Sequence, residues 1–340
     1  MLFLSEFYQN IFGTKTYKLS LDAGCTCPNR DGSKGTGGCI FCSQSGSGDF
    51  TPDKNLSIKE QIFYAKKKVE SKLKGRSGTR TGKYIAYFQN FSSTYGKSAE
   101  LAEKYREALA CPDVAGLAVA TRPDCLNHEI LCELSKIAQT HFVQIELGLQ
   151  TSNEKTGLFI NRLYSNTDYI DAVKRIKSAG PKIHIVTHLI FGLPSETEGD
   201  MLESVKFVVR ENSATTVKES VASSQYVAVP DIATAPALDT AAQAVRDTAP
   251  LPCASDFFGI KITSLYVLKN TPLADLYTRG KYVPLQKEEY FLLLKKALAL
   301  LPENCAVHRL TGDPPKALLL APAWPIDKKR VLNELSHLFL

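Results

Sequence analysis

Six apolar runs rich in β-branched and aromatic residues recur along the chain, and helical patterns fill most of the intervals between them. The runs are TYKLSLDA (16–23), YIAYFQNF (84–91), VAGLAVAT (114–121), FVQIELGLQ (142–150), KIHIVTHLIFG (182–192) and FGIKITSLYVL (258–268). Helical candidates lie at 57–74, 98–110, 127–138, 152–160 with 166–179, and 196–210. Two strands can run parallel only if the chain crosses back to the starting edge, and a helix is the usual crossover. The alternation therefore predicts an α/β fold of βα units around a parallel sheet. Six units are too few for a closed eight-unit barrel. They fit a partial (β/α)6 TIM-like barrel or an open doubly wound sheet, and the partial barrel is the expectation taken forward.

The tail reads differently. Residues 286–301 and 325–339 look helical, with CAVHRLTGD (305–313) as a strand and turn between them. The predicted organisation is a barrel over 1–269 and a C-terminal extension, 270–340, packed on it. One stretch does not fit. Residues 211–255 are rich in Ala, Thr, Val and Ser and dotted with Pro230, Pro236, Pro250 and Pro252. A connection of this length inside a compact domain is uncommon. It is read as a mobile insert without catalytic residues.

A chain of 340 residues with 44% hydrophobic content can bury a large core without disulfide staples. No run is as long as a membrane span, and the opening MLFLSEFYQNIFGTKTYK is too broken by polar residues for a signal peptide. The expected compartment is the cytoplasm, with no membrane partner. Clustered cysteines there are metal-binding or catalytic more often than disulfide-bonded. Four of the nine cysteines fall in CTCPNRDGSKGTGGCIFC (25–42); Cys111, Cys125, Cys132, Cys253 and Cys305 are scattered and read as packing residues. The net charge of +6 is unevenly spread, because residues 59–83 hold nine basic side chains against Glu60 and Glu70. Such a stretch either neutralises phosphates or is a solvated helix face and loop.

Parallel βα architectures gather their sites at the carboxyl ends of the strands. The cysteine cluster follows the first run, and Gln89 and Asn90 end the second. Thr121, Arg122, Pro123 and Asp124 end the third, and Gln150 the fourth. His188 and the turn Gly192-Leu193-Pro194 end the fifth; Lys269 and Asn270 follow the sixth. Each has an ordinary structural explanation alone. Their coincidence at one rim points to a site.

Cys27, Cys39 and Cys42 form a C-x11-C-x2-C pattern across a loop carrying Gly32, Gly35, Gly37 and Gly38. Glycines let the loop bend tightly and bring backbone N–H groups near sulfur. Thiolates suit iron–sulfur clusters or zinc. Structural zinc needs four ligands, and Cys25 lies closer to Cys27 than zinc-knuckle spacing allows. A four-iron cluster on three thiolates keeps one iron open for a small molecule.

These residues resemble the radical S-adenosylmethionine (SAM) superfamily, in a bacterial subgroup whose cysteine loop has the C-x11-C-x2-C spacing. The phrases YFQNFSSTYG (87–96), TRPDCL (121–126), IELGLQTSNEKTGLFINR (145–162), HLIFGLPSET (188–197), VLKNTPLADLY (267–277) and HRLTGD (308–313) are similar to the same subgroup. TRPD, ELGLQ and GLP place it near the catalytic subunit of Elongator, which acts on wobble uridines of transfer RNA. The resemblance covers nearly the whole chain except 211–255.

The resemblance implies a [4Fe–4S] cluster on Cys27, Cys39 and Cys42, with SAM on the fourth iron. One-electron cleavage of the sulfonium would yield methionine and a 5′-deoxyadenosyl radical that takes hydrogen from the substrate. Arg122 and Gln150 would meet the SAM carboxylate and ribose, Gln89 and Asn90 its amino group, and Gly192 and Pro194 its adenine side. The catalytic residues proper are not assigned. Cys25 stands where an aromatic residue is expected and is read as a bystander thiol. INRLY (160–164) replaces an expected INRGH, removing any role of that glycine and histidine. The implied substrate is the carboxymethylaminomethyl group of transfer-RNA wobble uridine, trimmed to aminomethyl. Expected partners are tRNA through residues 59–83, an electron-donor protein and a methyltransferase acting on the product. Tyr87, Phe88, Phe91 and Tyr95 are candidates for stacking on RNA bases. The alternatives are a radical enzyme on a small molecule or peptide, or a zinc-binding module without a reaction.

Overall fold

The computed structural model describes residues 1–46, 48–73, 82–180, 182–213 and 257–339. From residue 214 to 255 the stretch read as an insert lies outside the described residues, as do Cys253 and the basic segment 74–81.

Six parallel strands form in chain order: β2 (Thr16–Leu21), β3 (Lys83–Phe88), β4 (Val114–Thr121), β5 (Phe142–Gln150), β6 (Ile183–Phe191) and β7 (Phe258–Ser264). Each pairs with its predecessor, with no reversal of order. A doubly wound sheet reverses at its switch point, so consecutive order decides for the partial barrel. The sheet is two strands longer than the six read from the sequence. β9 (Cys305–Arg309) joins β7 in parallel, and β1 (Leu2–Phe3) joins β9, completing the order β1-β9-β7-β6-β5-β4-β3-β2. Residues 305–309 of the tail are thus part of the sheet itself. The expected sixth strand is broken: β8 (Val267–Leu268) leaves the sheet after Leu265–Tyr266 and pairs antiparallel with β10 (Leu319–Ala321).

The two faces of the sheet divide by the period-two rule of a strand. One parity carries Leu19, Leu21, Leu117, Val119, Val143, Ile145, Leu147, Ile260 and Ile262, all in the main core. Outer helices cover this face: α2 (Ile58–Leu73), α3 (Ser98–Leu109), α4 (His128–Ile137), α6 (Asn166–Ala179), α7 (Glu198–Ser213), α9 (Lys287–Leu298) and α10 (Lys328–Phe339). The short helices α5 (Glu154–Phe159) and α8 (Pro272–Thr278) sit in the connections after β5 and β8. The other parity is polar: Lys18, Ser20, Tyr87, Gln89, Glu146, Gly148, Gln150, His188, Lys261 and Thr263 line the inside of the half-barrel.

Among the elements the sequence did not announce, α1 (Leu4–Phe12) is an amphipathic helix of two and a half turns closed by Gly13 in the left-handed conformation (φ 66°). It buries Phe7, Tyr8 and Ile11 against Ile85, Tyr87, Ala118, Phe142 and Ala306. This helix packs across the amino-terminal end of the barrel, and Ser5, Gln9 and Asn10 on it line the same cavity as the polar inner face.

Candidate active site

The cysteine loop is built over the carboxyl end of β2. The amides of Arg30 and Asp31 donate to the Cys27 carbonyl (2.8 and 3.2 Å), and the Cys42 amide donates to the Cys39 carbonyl (3.0 Å). Gly35 is required by space: a Cβ there would lie 2.5 Å from the Leu163 side chain. Gly38 is required by conformation, with φ +80° and the Arg30 guanidinium 2.8 Å from where a Cβ would stand.

The segment 160–164 cradles this loop. The Ile160 carbonyl accepts from the Ile40 amide at 3.1 Å, and Asn161 donates to the Gly38 carbonyl at 2.8 Å. Asn29 donates to the Asn161 carbonyl and holds its other amide proton 3.9 Å from the Cys39 sulfur. Arg162 is fully buried and spends its guanidinium on the carbonyls of Leu149 (3.0 Å), Thr151 (2.7 Å) and Tyr164 (2.9 Å) and on Glu154 (2.8 Å). Tyr164 donates to the Gly148 carbonyl and to the Gln150 side chain, with the Arg122 and Arg162 guanidinium groups 4.7 and 4.9 Å from its ring. The tyrosine that replaces the expected histidine therefore links Gln150 to Arg122. Leu163, at the expected glycine, sits at φ 56°, a conformation glycine adopts more easily.

The three thiols are brought together and differ in surroundings. Burial pushes Cys39 up to about 12, with Cys42 and Cys27 as neighbouring like charges. Burial also raises Cys42, against the nearby Arg30. Arg122 donates to Asp124 at 2.9 and 2.8 Å and points Nη1 at the Cys27 sulfur, 3.9 Å away. Three partly exposed thiols lie near the Arg30 and Arg122 guanidinium groups and the Asn29 amide, and such donors suit the sulfurs of an iron–sulfur cluster. Among the described residues no group of three or more Cys, His, Asp or Glu converges on a single-ion site. The residues present fit a cluster. Cys25 faces elsewhere: it packs against the main core, and burial pushes its thiol up to about 11.

A cavity of ≈ 1110 Å³ fills the half-barrel. Cys42, Gln89, Phe91, Arg122 and Gln150 line it, and so do Lys18, Glu146, His188, Lys261, Thr263 and Arg309 on the sheet. Gln150 ends β5 at φ 63°, strained for a non-glycine residue, at an irregularity in the β5–β6 register. Asn90, Gly192 and Pro194 are not among the lining residues. Asn90 is buried and turned back to Asp22 and Thr51 (3.1 Å), bracing the start of the cysteine loop. Gly192 turns the chain at φ +84°, its carbonyl accepting from Tyr282 at 2.8 Å. Lys269 and Asn270 are exposed, and Lys269 donates to the Ala317 carbonyl at 3.2 Å. Tyr87 points into the barrel and Phe88 into the core, so neither is a surface for RNA bases.

The sequence reading missed Lys18, Glu146, Lys261 and Arg162. The signal for the first three was present: a charged residue at the centre of an apolar strand belongs to the inner face. His188, accepting or donating at 2.9 Å to Thr263, is held neutral because burial drives it well below the usual imidazole range.

A half-barrel with a triple-cysteine loop over its open end is the architecture of an enzyme that does radical chemistry inside the barrel. Residues 30–208 match the family model of the radical SAM superfamily, and residues 258–338 that of the Radical_SAM C-terminal domain. The chain is 35% identical to YtqA of Bacillus subtilis (strain 168) over 96% of its own length and 85% of that protein's. It is 24% identical to the tRNA uridine(34) acetyltransferase of Methanocaldococcus infernus over 72% of this chain and 36% of that one. Its fold is shared with the archaeal Methanocaldococcus infernus Elp3 (TM-score 0.58, 15% identity), covering 95% of this chain and 63% of that chain. The chain belongs to the radical SAM superfamily. Its cofactors are a [4Fe–4S] cluster and SAM. That membership excludes the zinc-binding module. The family match begins at residue 30, past Cys27.

Proposed function

We propose that this radical SAM enzyme acts on tRNA, taking hydrogen from the methylene beside the carboxylate in the carboxymethylaminomethyl group of wobble uridine, on the route to aminomethyl. The observation that carries the reading is the single cavity that joins Cys42 and Arg122 at the rim to Lys18 and Lys261 on the barrel wall. Its volume exceeds what one drug-sized ligand usually fills, leaving room for SAM and a substrate group together. The similarity to a tRNA uridine(34) acetyltransferase supports the substrate class.

When bound, the cluster and SAM supply a 5′-deoxyadenosyl radical. The chain's own residues bind and orient. Cys27, Cys39 and Cys42 hold the cluster; Arg122 and Gln150 take the carboxylate and ribose of SAM, and Gln89 its amino group. Asn90 supports that segment from behind. Gly192 and Pro194 shape the adenine side through the turn they form.

The RNA surface in this reading is α2. Phe63 and Tyr64 are exposed there beside Lys67, whose ammonium lies 4.1 Å from the Phe63 ring centre. Bases can stack on such rings while lysines meet phosphates. An electron-donor protein and a product methyltransferase complete the cytoplasmic setting. Among the described residues no helix is long and apolar enough to cross a membrane.

The test is nucleoside analysis of tRNA incubated anaerobically with reconstituted enzyme, SAM and reductant. Loss of carboxymethylaminomethyluridine with formation of 5′-deoxyadenosine is expected. Formation of 5′-deoxyadenosine with the wobble uridine unchanged would remove this substrate.

A further inference from the structure

Charge is unbalanced on the barrel wall. Glu146 receives Lys18 at 2.5 Å, Tyr87 at 2.6 Å and Gln144 at 2.8 Å. Lys261 reaches the same carboxylate only at 3.4 Å and the Tyr87 hydroxyl only at 3.5 Å. Glu146 is satisfied by shorter bonds, so Lys261 keeps donor capacity facing the cavity. Two ammonium groups share one carboxylate here, at side-chain exposures of 18% for Lys18, 13% for Lys261 and 4% for Glu146. Arg309 lines the same cavity and shares Asp313, 3.4 Å away, with Lys328. His188 contributes no charge. A buried cation without a full counter-charge is costly and is retained where an anion arrives to meet it.

We propose that Lys261, backed by Lys18, anchors an anionic group of the substrate inside the barrel. This rests on the wobble-uridine reading only for the identity of the anion, which would be the carboxylate of the carboxymethylaminomethyl group. A carboxylate pinned there puts the adjacent methylene in the same cavity as Cys42 and Arg122. Burial pulls Lys261 down to about 8, with Glu146 opposing, and Arg309 and Lys18 adding to the fall. The groups around it are Glu146 on β5, Lys18 on β2, Tyr87 on β3, His188 on β6 and Arg309 on β9. A bound anion would push it back up.

The experiment is calorimetric binding to SAM-loaded, cluster-reconstituted enzyme. Three probes are compared: 5-carboxymethylaminomethyluridine, the same nucleoside with its carboxylate converted to the amide, and inorganic phosphate. The wild type should prefer the acid over the amide by about tenfold or more, the strength of one charge-assisted contact. Lys261→Met should abolish the preference and Lys261→Arg should keep most of it, with SAM affinity unchanged in both. If neither nucleoside binds but phosphate binds the wild type and not Lys261→Met, the wobble-uridine reading fails and the anion site stands. Equal binding of acid and amide by the wild type, a preference that survives Lys261→Met, or no binding of any anion would overturn the proposal.

Discussion

Arg122 holds its guanidinium 3.9 Å from the Cys27 sulfur, fastened by two hydrogen bonds to Asp124 and stacked 4.7 Å from the Tyr164 ring. Lys34 shares Asp124 at 2.7 Å, so the acid stays paired if the arginine is lost. The positive charge is thus fixed beside one cluster ligand. Replacing it with glutamine should lower the reduction potential of the cluster and slow SAM cleavage about 10–100-fold, as is usual for outer-shell partners of a metal site. Redox titration and the rate of 5′-deoxyadenosine formation check this. An unaltered potential in Arg122→Gln would show that the contact is only structural.

The cysteines divide into two groups. Serine at Cys27, Cys39 or Cys42 should each abolish stable loading of iron and acid-labile sulfide. Serine at Cys25 or Cys132 should leave loading intact, because Cys25 packs on the core and Cys132 lies along α4 beside His128 (3.4 Å). Iron and sulfide analysis after anaerobic reconstitution decides it.

Lys261 is held at a cost to the fold. Its folded-state value is about 8 against an ordinary 10.5. Below about pH 8 folded and unfolded chains both carry the proton, and the penalty is constant, roughly 3 kcal/mol. Between about 8 and 10.5 the unfolded chain alone keeps the proton, so this group makes stability rise with pH until the penalty is gone. Lys261→Met should therefore be more stable than the wild type near neutrality, with the gap closing across that window. Denaturant midpoints measured at several pH values test it; a pH-independent gap would contradict the assignment.

Arg162 is the structural knot of the site. Its removal would orphan the carbonyls of Leu149, Thr151 and Tyr164 around a buried void. Arg162→Ala should cost about 3 kcal/mol or more and weaken cluster loading, since residues 160–164 carry the cysteine loop. Urea unfolding and iron content, measured on the same preparations, would separate this from a local effect.

Much of this was legible in the chain. The six runs became parallel strands, and most helices lie within a few residues of the predicted spans. The cysteine triplet, Arg122 and Gln150 were singled out because strand ends collect sites and because the phrases around them resemble a family. α1 escaped because nine residues carry little periodic signal, although Glu6 in its first turn and Gly13 just past its end were readable as caps. The place of β9 in the sheet was not readable, since pairing between distant segments leaves no local mark. Asn90 was read as a site residue from its position at a strand end, but its side chain turned to Asp22.

Sequence alone determined the βα rhythm, the carboxyl-end location of the chemistry and the thiol set, because strand and helix periodicity and ligand spacing are local properties. The tertiary structure decided which polar residues share one interior. Lys18, Glu146 and Lys261 lie more than a hundred residues apart in the chain for each lysine–glutamate pair. Only the curvature of the barrel brings them onto one wall of a cavity, where a surplus charge acquires consequence.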